Sequence, residues 1–251
     1  MAERNIRLVV EYDGTAYAGW QVQPGQRTIQ GQVCEAVRKV TGREINLLAA
    51  GRTDGGVHAR GQVASFHIDS DLPTERFAPA INHYLDDDIL VHEASEAPLD
   101  FNPRYDAKSK RYRYLISSRA SAIYRHQRWH CPHRLELGRL REAAAMVIGE
   151  HDFAPFCVVA SRKPNNRCRI ENSTWRRVGD LLVYEIRGNR FLHGMVRSLV
   201  GAMVNLARTE PDDNALNLTL NSFRDIIQTP SDERVVFTAP AHGLYLVSVQ
   251  Y

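Results

Sequence analysis

The order of strand-like and helix-like segments in the first hundred residues is the feature that most constrains the fold of this chain. β-Branched and apolar runs predict strands, and apolar residues spaced three and four apart predict helices. In chain order, the patterns predict a strand at Ile6–Tyr12, a helix from Ile29 to Val40, strands at Ile45–Ala50 and Gln62–Ile68, a helix over residues 74–85 and a strand at Ile89–Glu93. This β-α-β-β-α-β order is that of a ferredoxin-like sheet.

The second half of the chain contains the same mixture of elements. Its patterns predict a strand around Tyr112–Ile116, a helix at Leu137–Ile148, a hairpin of Trp175–Val178 and Leu181–Arg187, a helix at Phe191–Ala207 and a strand at Leu244–Tyr251. We therefore predict an α+β protein of two domains, residues 1–107 and 108–251, and each has enough chain to bury a core.

Charge is segregated along the chain although the totals nearly balance. The 251 residues include 32 Lys and Arg and 29 Asp and Glu, a net charge of +3, and the composition is that of a globular protein. Residues 104–141 contain eleven basic residues and two acidic ones, whereas residues 71–100 contain eight acidic residues and one basic one. A second basic cluster comprises Arg162, Lys163, Arg167 and Arg169. Such segments fit either a polyanion with stackable bases or a solvated basic face.

The cysteines and the N-terminus indicate a reduced, cytoplasmic protein. The sequence has four cysteines, which are Cys34, Cys131, Cys157 and Cys168. They lie far apart and form no C-x-x-C pair. His126, His130, Cys131 and His133 lack a second pair at zinc-finger spacing, so we expect no metal site. No apolar run is long enough to span a membrane, and the first residues lack the pattern of a signal peptide.

The loop at residues 51–58 contains an isolated acid. Asp54 is the only carboxylate between Glu44 and Asp69, and it precedes Gly55 and Gly56. Glycines allow positive φ and close approach of another backbone or of a ligand. Asp54 is therefore a candidate nucleophile or general base, and the alternative is an aspartate that caps its own turn.

Two further side chains draw attention in the second half. Arg197 is a lone charge in a mostly apolar helix, so we expect a carboxylate partner, and we predict that this partner is Asp54. The alternative is an Arg197 that extends to the surface. Tyr112 lies between basic residues and is either a platform for an extruded base or a core residue.

These residues belong to a set of motifs that resembles the tRNA pseudouridine synthases of the TruA type over essentially the whole chain. The motifs are Tyr12-Asp13-Gly14-Thr15, Gly19-Trp20-Gln21, Arg27-Thr28-Ile29-Gln30-Gly31, Gly51-Arg52-Thr53-Asp54, Gly56-Val57-His58-Ala59, Gly61-Gln62-Val63, Lys110-Arg111-Tyr112-Arg113-Tyr114, Gly149-Glu150-His151-Asp152-Phe153, Phe191-Leu192, Met195-Val196-Arg197 and Gly243-Leu244-Tyr245-Leu246. One departure is Gly55, where the family usually has Ala.

The resemblance implies isomerisation of uridine to pseudouridine at positions 38, 39 and 40 of the tRNA anticodon stem-loop. It implies a homodimer that binds tRNA in basic clefts, with neither cofactor nor metal. The expected fold has two ferredoxin-like, RNA-recognition-motif-like halves, whose mainly antiparallel sheets meet at a central catalytic cleft.

The resemblance also implies roles for individual residues. Asp54 would be the catalytic aspartate, Arg197 its partner, and Tyr112 a residue that stacks on the target base and takes part in proton transfer. Arg52 would help to extrude the base or replace it. The expected substrate-binding residues are Arg52, His58, Gln62, Lys110, Arg111 and Tyr112.

Two other functional classes remain as alternatives at this point. One is an RNA-binding module in which Asp54 only shapes a loop. The other is a glycosidase-like hydrolase, which requires a second carboxylate at roughly 5–10 Å from the first, and the sequence nominates none near Asp54.

Overall fold

The chain forms two compact units in the computed structural model, which describes residues 3–209, 218–229 and 237–251. The first unit is Met1–Lys108 together with Tyr245–Tyr251, and the second is Ser109–Leu244. The sequence-based division at residues 107 and 108 assigned residues 245–251 to the second half. The structure places them in the first unit, because Tyr245 and Leu246 pair with a strand there.

The described residues contain ten strands, five α-helices and four short 3-10 turns. In chain order, the strands and α-helices are β1 (Arg4–Tyr12), α1 (Ile29–Thr41), β2 (Leu48–Ala49), β3 (His58–Ile68), α2 (Thr74–Asn82), β4 (Ile89–Ala97), β5 (Ser109–Ser117), β6 (Trp129–His130), α3 (Leu137–Met146), β7 (Gly149–Asp152), β8 (Arg167–Val178), β9 (Leu181–Gly188), α4 (Met195–Ala207), α5 (Leu220–Gln228) and β10 (Leu244–Gln250).

The sheet of the first unit has the ferredoxin-like order that the sequence predicts. β1 lies between β4 and β3 and is antiparallel to both, and β2 is antiparallel to β3. β10 pairs with the N-terminal end of β3 in a parallel arrangement, through Tyr245 opposite His58. The prediction of an α+β fold with mainly antiparallel sheets is confirmed.

Helix α1 shows why local sequence predicts some elements well. Its buried face consists of Ile29, Val33, Ala36 and Val37, at the spacing of one helix face. The Thr28 side chain accepts a hydrogen bond from the Gly31 amide and caps the N-terminus. The C-terminus ends at Gly42 with φ 70°, a conformation that glycine adopts without steric cost.

Several predicted boundaries are wrong, and three of them have a clear physical reason. The predicted strand at residues 45–50 is reduced to Leu48–Ala49, because its ladder with β3 extends over these two residues alone, opposite Ser65 and Ala64. The helix predicted over residues 74–85 ends at Asn82 and is followed by turns. The helix predicted from Phe191 begins at Met195, because Gly194 before it has φ 74° and lies outside the helical region.

The second unit has a sheet of order β5-β9-β8-β7 with antiparallel pairs. β6 pairs with β5 in parallel at Ile116 and Trp129. β8 and β9 form the predicted hairpin, which turns at Gly179 and Asp180. Helix α4 packs against α3, and eleven of its thirteen residues are buried. The prediction of a buried helix in this region is confirmed.

Candidate active site

The loop that contains Asp54 is a short connection between β2 and β3. The Val57 amide donates to the Asp54 carbonyl at 3.1 Å and closes a turn, in which Gly56 has φ 77°. A positive φ at the third residue of a turn strongly favours glycine. The Asp54 side chain is half-buried, while Thr53 before it and Val57 after it are buried. The turn thus fixes the backbone of Asp54.

A second loop, residues 13–20, lies directly against the Asp54 loop. The Trp20 amide donates to the Thr53 carbonyl at 3.1 Å, and the Gly56 amide donates to the Tyr17 carbonyl at 3.3 Å. Tyr12 at the end of β1 adds a hydroxyl contact of 2.8 Å to Thr53 Oγ1. The two loops therefore hold each other through main-chain hydrogen bonds, which leave little freedom at residues 53–56.

Two glycines make this close approach possible. A Cβ atom on Gly14 would lie 2.0 Å from the Val57 carbonyl oxygen, and a Cβ atom on Gly19 would lie 2.7 Å from the Thr53 carbonyl oxygen. Both distances are far below van der Waals contact, so neither position accepts a side chain without movement of the backbone. The glycines of the two N-terminal motifs are thus explained by packing against the Asp54 loop.

An acidic side chain that sequence reasoning did not nominate braces the second loop. The Tyr17 hydroxyl donates to Asp88 at 2.5 Å, and the Arg27 guanidinium lies over the Tyr17 ring at 4.5 Å. Arg27 also pairs with Asp86 at 2.5 Å and with Asp88 at 3.5 Å. Burial and the hydrogen bond to Asp88 raise the pKa of Tyr17 above its usual range, so the phenol remains a donor. In the sequence, these acids registered only as part of a negatively charged segment.

His58 and Gln62, both predicted to bind substrate, lie in the interior of the first unit. His58 is 2% exposed, its ring stacks on Tyr245 at 4.7 Å, and its Nδ1 atom lies 3.1 Å from both the Gly14 amide and Asp13 Oδ1. Gln62 is completely buried, and its Nε2 donates to the Gly51 carbonyl at 2.7 Å. In this structure, both side chains support the Asp54 loop, and their contact with substrate stays a prediction.

Arg52 is the predicted substrate-binding residue that solvent reaches most readily in this loop. It is exposed and lies two residues before Asp54. An exposed guanidinium next to a fixed carboxylate has the freedom to meet an anionic ligand.

The predicted residues on β5 divide between the two faces of the strand. Side chains alternate along a strand, so Lys110 and Tyr112 share one face while Arg111 and Arg113 share the other. Lys110 is 8% exposed and Tyr112 is 7% exposed, with the Phe191 ring edge-to-face at 5.0 Å. Arg111 is exposed. The charges of Lys110, Arg111 and Arg113 are therefore divided between two faces of the strand, and the contact of Lys110 and Arg111 with substrate stays a prediction.

Arg113 is engaged in an ion pair within the second unit. Its guanidinium donates to Glu185 Oε1 at 2.6 Å, and the two residues are opposite each other on β5 and β9. Burial alone would raise the pKa of Glu185, but the hydrogen bond from Arg113 and the charges of Arg113, Arg176 and Arg111 together lower it. Arg113 is thus a structural cation and contributes little to a surface for a polyanion.

Arg197 is held near the chain segment at residues 239–240. Its Nε atom donates to the Ala239 carbonyl at 2.9 Å, and the Ala239 amide donates to the Arg197 carbonyl at 3.1 Å. Nearby, the Tyr114 hydroxyl donates to the Pro240 carbonyl at 2.6 Å. Burial raises the pKa of Tyr114, and the Arg197 charge opposes this rise. The pairing of Arg197 with Asp54 stays a prediction.

Within residues 3–209, 218–229 and 237–251, the structure shows which side chains could bind a metal ion, how long each helix is and whether the thiols are paired. In these ranges, no group of three or more His, Cys, Asp or Glu side chains could hold a metal ion, and no helix is long and apolar enough to cross a membrane. Cys34, Cys131, Cys157 and Cys168 are free thiols.

A family model and individual relatives of known name both match this chain over most of its length. The family model described as tRNA pseudouridine synthase matches residues 8–106 and 143–251. The chain is 40% identical to tRNA pseudouridine synthase A of Acetivibrio thermocellus over 252 residues, which cover 99% of this chain and all of that protein. It is 39% identical to the protein of the same name from Caldicellulosiruptor bescii, with the same coverage. For the Halalkalibacterium halodurans protein of that name, the identity is 38% over 96% of this chain and 90% of the relative. These matches show that the chain belongs to the tRNA pseudouridine synthase family.

Proposed function

We propose that this chain isomerises uridine to pseudouridine at positions 38, 39 and 40 of tRNA, with Asp54 as the nucleophile. Family membership supports an isomerase that acts on tRNA. The observation that carries the assignment to Asp54 is its place on a loop whose backbone is fixed from both sides, by the turn to Val57 and by the loop at residues 13–20.

The chemistry accounts for a site with so few reactive groups. In the isomerisation, the bond between uracil N1 and ribose C1′ breaks, and a bond between uracil C5 and C1′ forms. C5 loses a proton and N1 gains one, so no atom is added or removed and no electron acceptor is needed. One carboxylate can start the exchange by attack on C1′ or on the uracil ring, provided that the base stays enclosed until the new bond forms.

A fixed carboxylate favours this reaction over a flexible one. Attack requires that the reacting atoms approach within about 3–3.5 Å in the correct orientation, and freedom at the nucleophile would have to be lost at that moment. In this chain, the main-chain hydrogen bonds at Thr53 and Gly56 restrict the backbone that carries the carboxylate. The buried His58 and Gln62 support the same loop from within the first unit.

Other residues complete the proposal. Arg52 meets the RNA beside the target nucleotide and helps to extrude the base, in accord with its exposure. Tyr112 stacks on the extruded base, which requires that its largely buried ring is uncovered when tRNA binds. Lys110 and Arg111 contact the substrate, and Arg197 pairs with Asp54. The homodimer and the cytoplasmic location implied by the resemblance are also part of this proposal.

The decisive experiment maps pseudouridine in an unmodified tRNA transcript after incubation with the pure protein. The wild-type protein should produce pseudouridine at positions 38–40, and Asp54→Asn should lower the rate by at least about a thousandfold, because the nucleophile is removed at nearly constant volume. Asp87→Asn is the matched control, since Asp87 is an exposed acid outside the loop. Both variants should remain folded and should bind tRNA with the affinity of the wild-type protein.

The same experiment separates the alternatives. Wild-type activity in Asp54→Asn would exclude Asp54 as the nucleophile. Binding of tRNA without any pseudouridine would favour an RNA-binding module, and release of free uracil would favour a hydrolase. Pseudouridine at other positions alone would preserve the reaction and refute the assigned target region.

A further inference from the structure

The second unit contains a groove lined by arginines that the proposed reaction does not use. The groove comprises a cavity of about 590 Å³, lined in part by Arg134 and Arg177, and an adjoining cavity of about 190 Å³, lined in part by Arg119 and Arg128. Asp180 lines both cavities, so they lie next to each other. We call this surface the arginine groove, after the four arginines that line it: Arg119, Arg128, Arg134 and Arg177.

Three of these arginines are available for a ligand. Arg119, Arg134 and Arg177 are exposed, and within the described parts of the chain no carboxylate lies within 4 Å of their guanidinium groups. Many other arginines are paired, as Arg113 is with Glu185 and Arg167 is with Glu150. Among the residues that the structure describes, these three guanidinium groups of the groove have no carboxylate partner.

The acidic side chains of the groove do not offset these charges. Asp180 lies 3.4 Å from Arg128, and Glu136 lies 2.7 Å from Arg139. Each acid thus already has a cationic partner. Counting only residues 3–209, 218–229 and 237–251, the guanidinium groups of Arg119, Arg134 and Arg177 give the groove an excess of positive charge.

The segment between Arg119 and Arg128 exposes apolar and aromatic side chains. Ile123 is 79% exposed and Tyr124 is 50% exposed, and the Arg128 guanidinium lies over the Tyr124 ring at 4.2 Å. Aromatic rings and guanidinium planes next to basic residues are surfaces on which bases and riboses of RNA can stack.

We propose that the arginine groove binds the phosphodiester backbone of the tRNA substrate at nucleotides other than the reacting uridine. Guanidinium groups bind phosphate oxygens in a bidentate manner, and each such contact releases condensed cations from the RNA. This inference rests on tRNA as the substrate, but it involves neither Asp54 nor the chemical step. The groove supplies affinity and orientation, and the Asp54 loop supplies the reaction.

The test measures tRNA binding as a function of salt. In R119Q/R134Q/R177Q, the magnitude of the slope of log Kobs against log salt should fall by about 2 to 3, because each lost phosphate contact contributes about 0.7–0.9. At about 100 mM salt, the Kd for an unmodified tRNA transcript should rise roughly tenfold. KM should rise, while the rate of pseudouridine formation at saturating tRNA should match the wild-type rate. The single variants Arg134→Gln and Arg177→Gln should each reduce the slope by about 1.

The matched control removes three exposed arginines outside the groove. R43Q/R76Q/R224Q loses the same net charge and should leave most of the slope intact. An equal loss of slope in both triple variants would attribute binding to net charge and overturn the proposal. An unchanged slope with altered self-association in sedimentation would assign the groove to a protein interface and overturn it as well.

The outcomes also distinguish this proposal from the catalytic one. A protein that binds tRNA through the groove but forms no pseudouridine would support the groove and refute the proposed reaction. An active protein whose groove variants bind tRNA normally would refute the groove alone.

Discussion

The conformation of the Asp54 loop and the charge on the surface of the second unit depend on different kinds of contact. The conformation of the loop is set by main-chain hydrogen bonds and by glycines that permit close approach, as at Gly14 and Gly19. The basic surface depends on which cations are already paired within the protein, as Arg113 is, and which are not. Short sequence motifs predict such backbone packing. Whether a charged side chain is already in an ion pair depends instead on residues that are distant in the sequence.

The largest expected effect tests the packing of the loop. Gly14→Ala would place a Cβ atom 2.0 Å from the Val57 carbonyl oxygen, so the two loops must separate. We expect a loss of about 3 kcal/mol or more in the free energy of unfolding and a strong loss of activity, because the clash is with backbone. Urea unfolding and pseudouridine formation measure the two effects.

Gly138→Ala is the matched control for this substitution. Nothing lies within 4 Å of a Cβ atom at Gly138, which is in the first turn of α3, so alanine should leave stability unchanged or raise it slightly. A stability loss in Gly14→Ala no larger than that in Gly138→Ala would refute the close packing of the two loops.

The second prediction concerns the difference between Arg113 and Arg111. Arg113→Gln should cost about 1–3 kcal/mol, since the half-buried Glu185 loses its main hydrogen-bonding partner. Arg111→Gln should change stability by less than about 0.5 kcal/mol, because Arg111 is exposed, and it should weaken tRNA binding. Chemical unfolding and tRNA binding should therefore rank the two variants in opposite orders.

The pH dependence of stability provides a second measure of the Arg113 pair. The pKa of Glu185 is lowered in the folded state, so its contribution to stability is present above its unfolded pKa and is lost as pH falls through the folded pKa. In Arg113→Gln, this acid-dependent part of the stability should shrink. Identical acid titrations of wild-type and variant stability would show that the pair does not act in this way.

Part of the fold could be predicted from local sequence patterns. The strand order of the first unit and both ends of α1 follow from local patterns, because a capping threonine and a terminal glycine act within one turn. The position of Asp54 on a constrained loop was likewise predicted from the neighbouring glycines.

Long-range contacts set the limit of prediction. Tyr17 meets Asp88 across 71 residues, and Arg113 meets Glu185 across 72 residues, and no local pattern encodes such pairs. For the same reason, the charge count in residues 104–141 did not show that Lys110 is buried and Arg113 is paired. The strand predicted at residues 45–50 was too long because its extent depends on pairing with β3.

The smallest expected effect sharpens the account of the Asp54 loop. Gly55 has no positive φ, and a Cβ atom there would lie 3.4 Å from the Tyr17 carbonyl oxygen and 3.5 Å from the Ala18 carbonyl carbon, which is ordinary contact. Gly55→Ala should therefore raise stability by about 0.4–1 kcal/mol, because alanine restricts the unfolded chain without strain in the folded one. Activity should stay within about twofold of wild type.

Gly56→Ala gives the matched contrast one residue later. Gly56 has φ 77°, so alanine should lower stability by roughly 1 kcal/mol at that position. Thermal unfolding of the two variants measures this difference in sign directly. If Gly55→Ala were the more damaging substitution, the turn would not have its positive φ at Gly56, and the fixed geometry assigned to Asp54 would lose its main support.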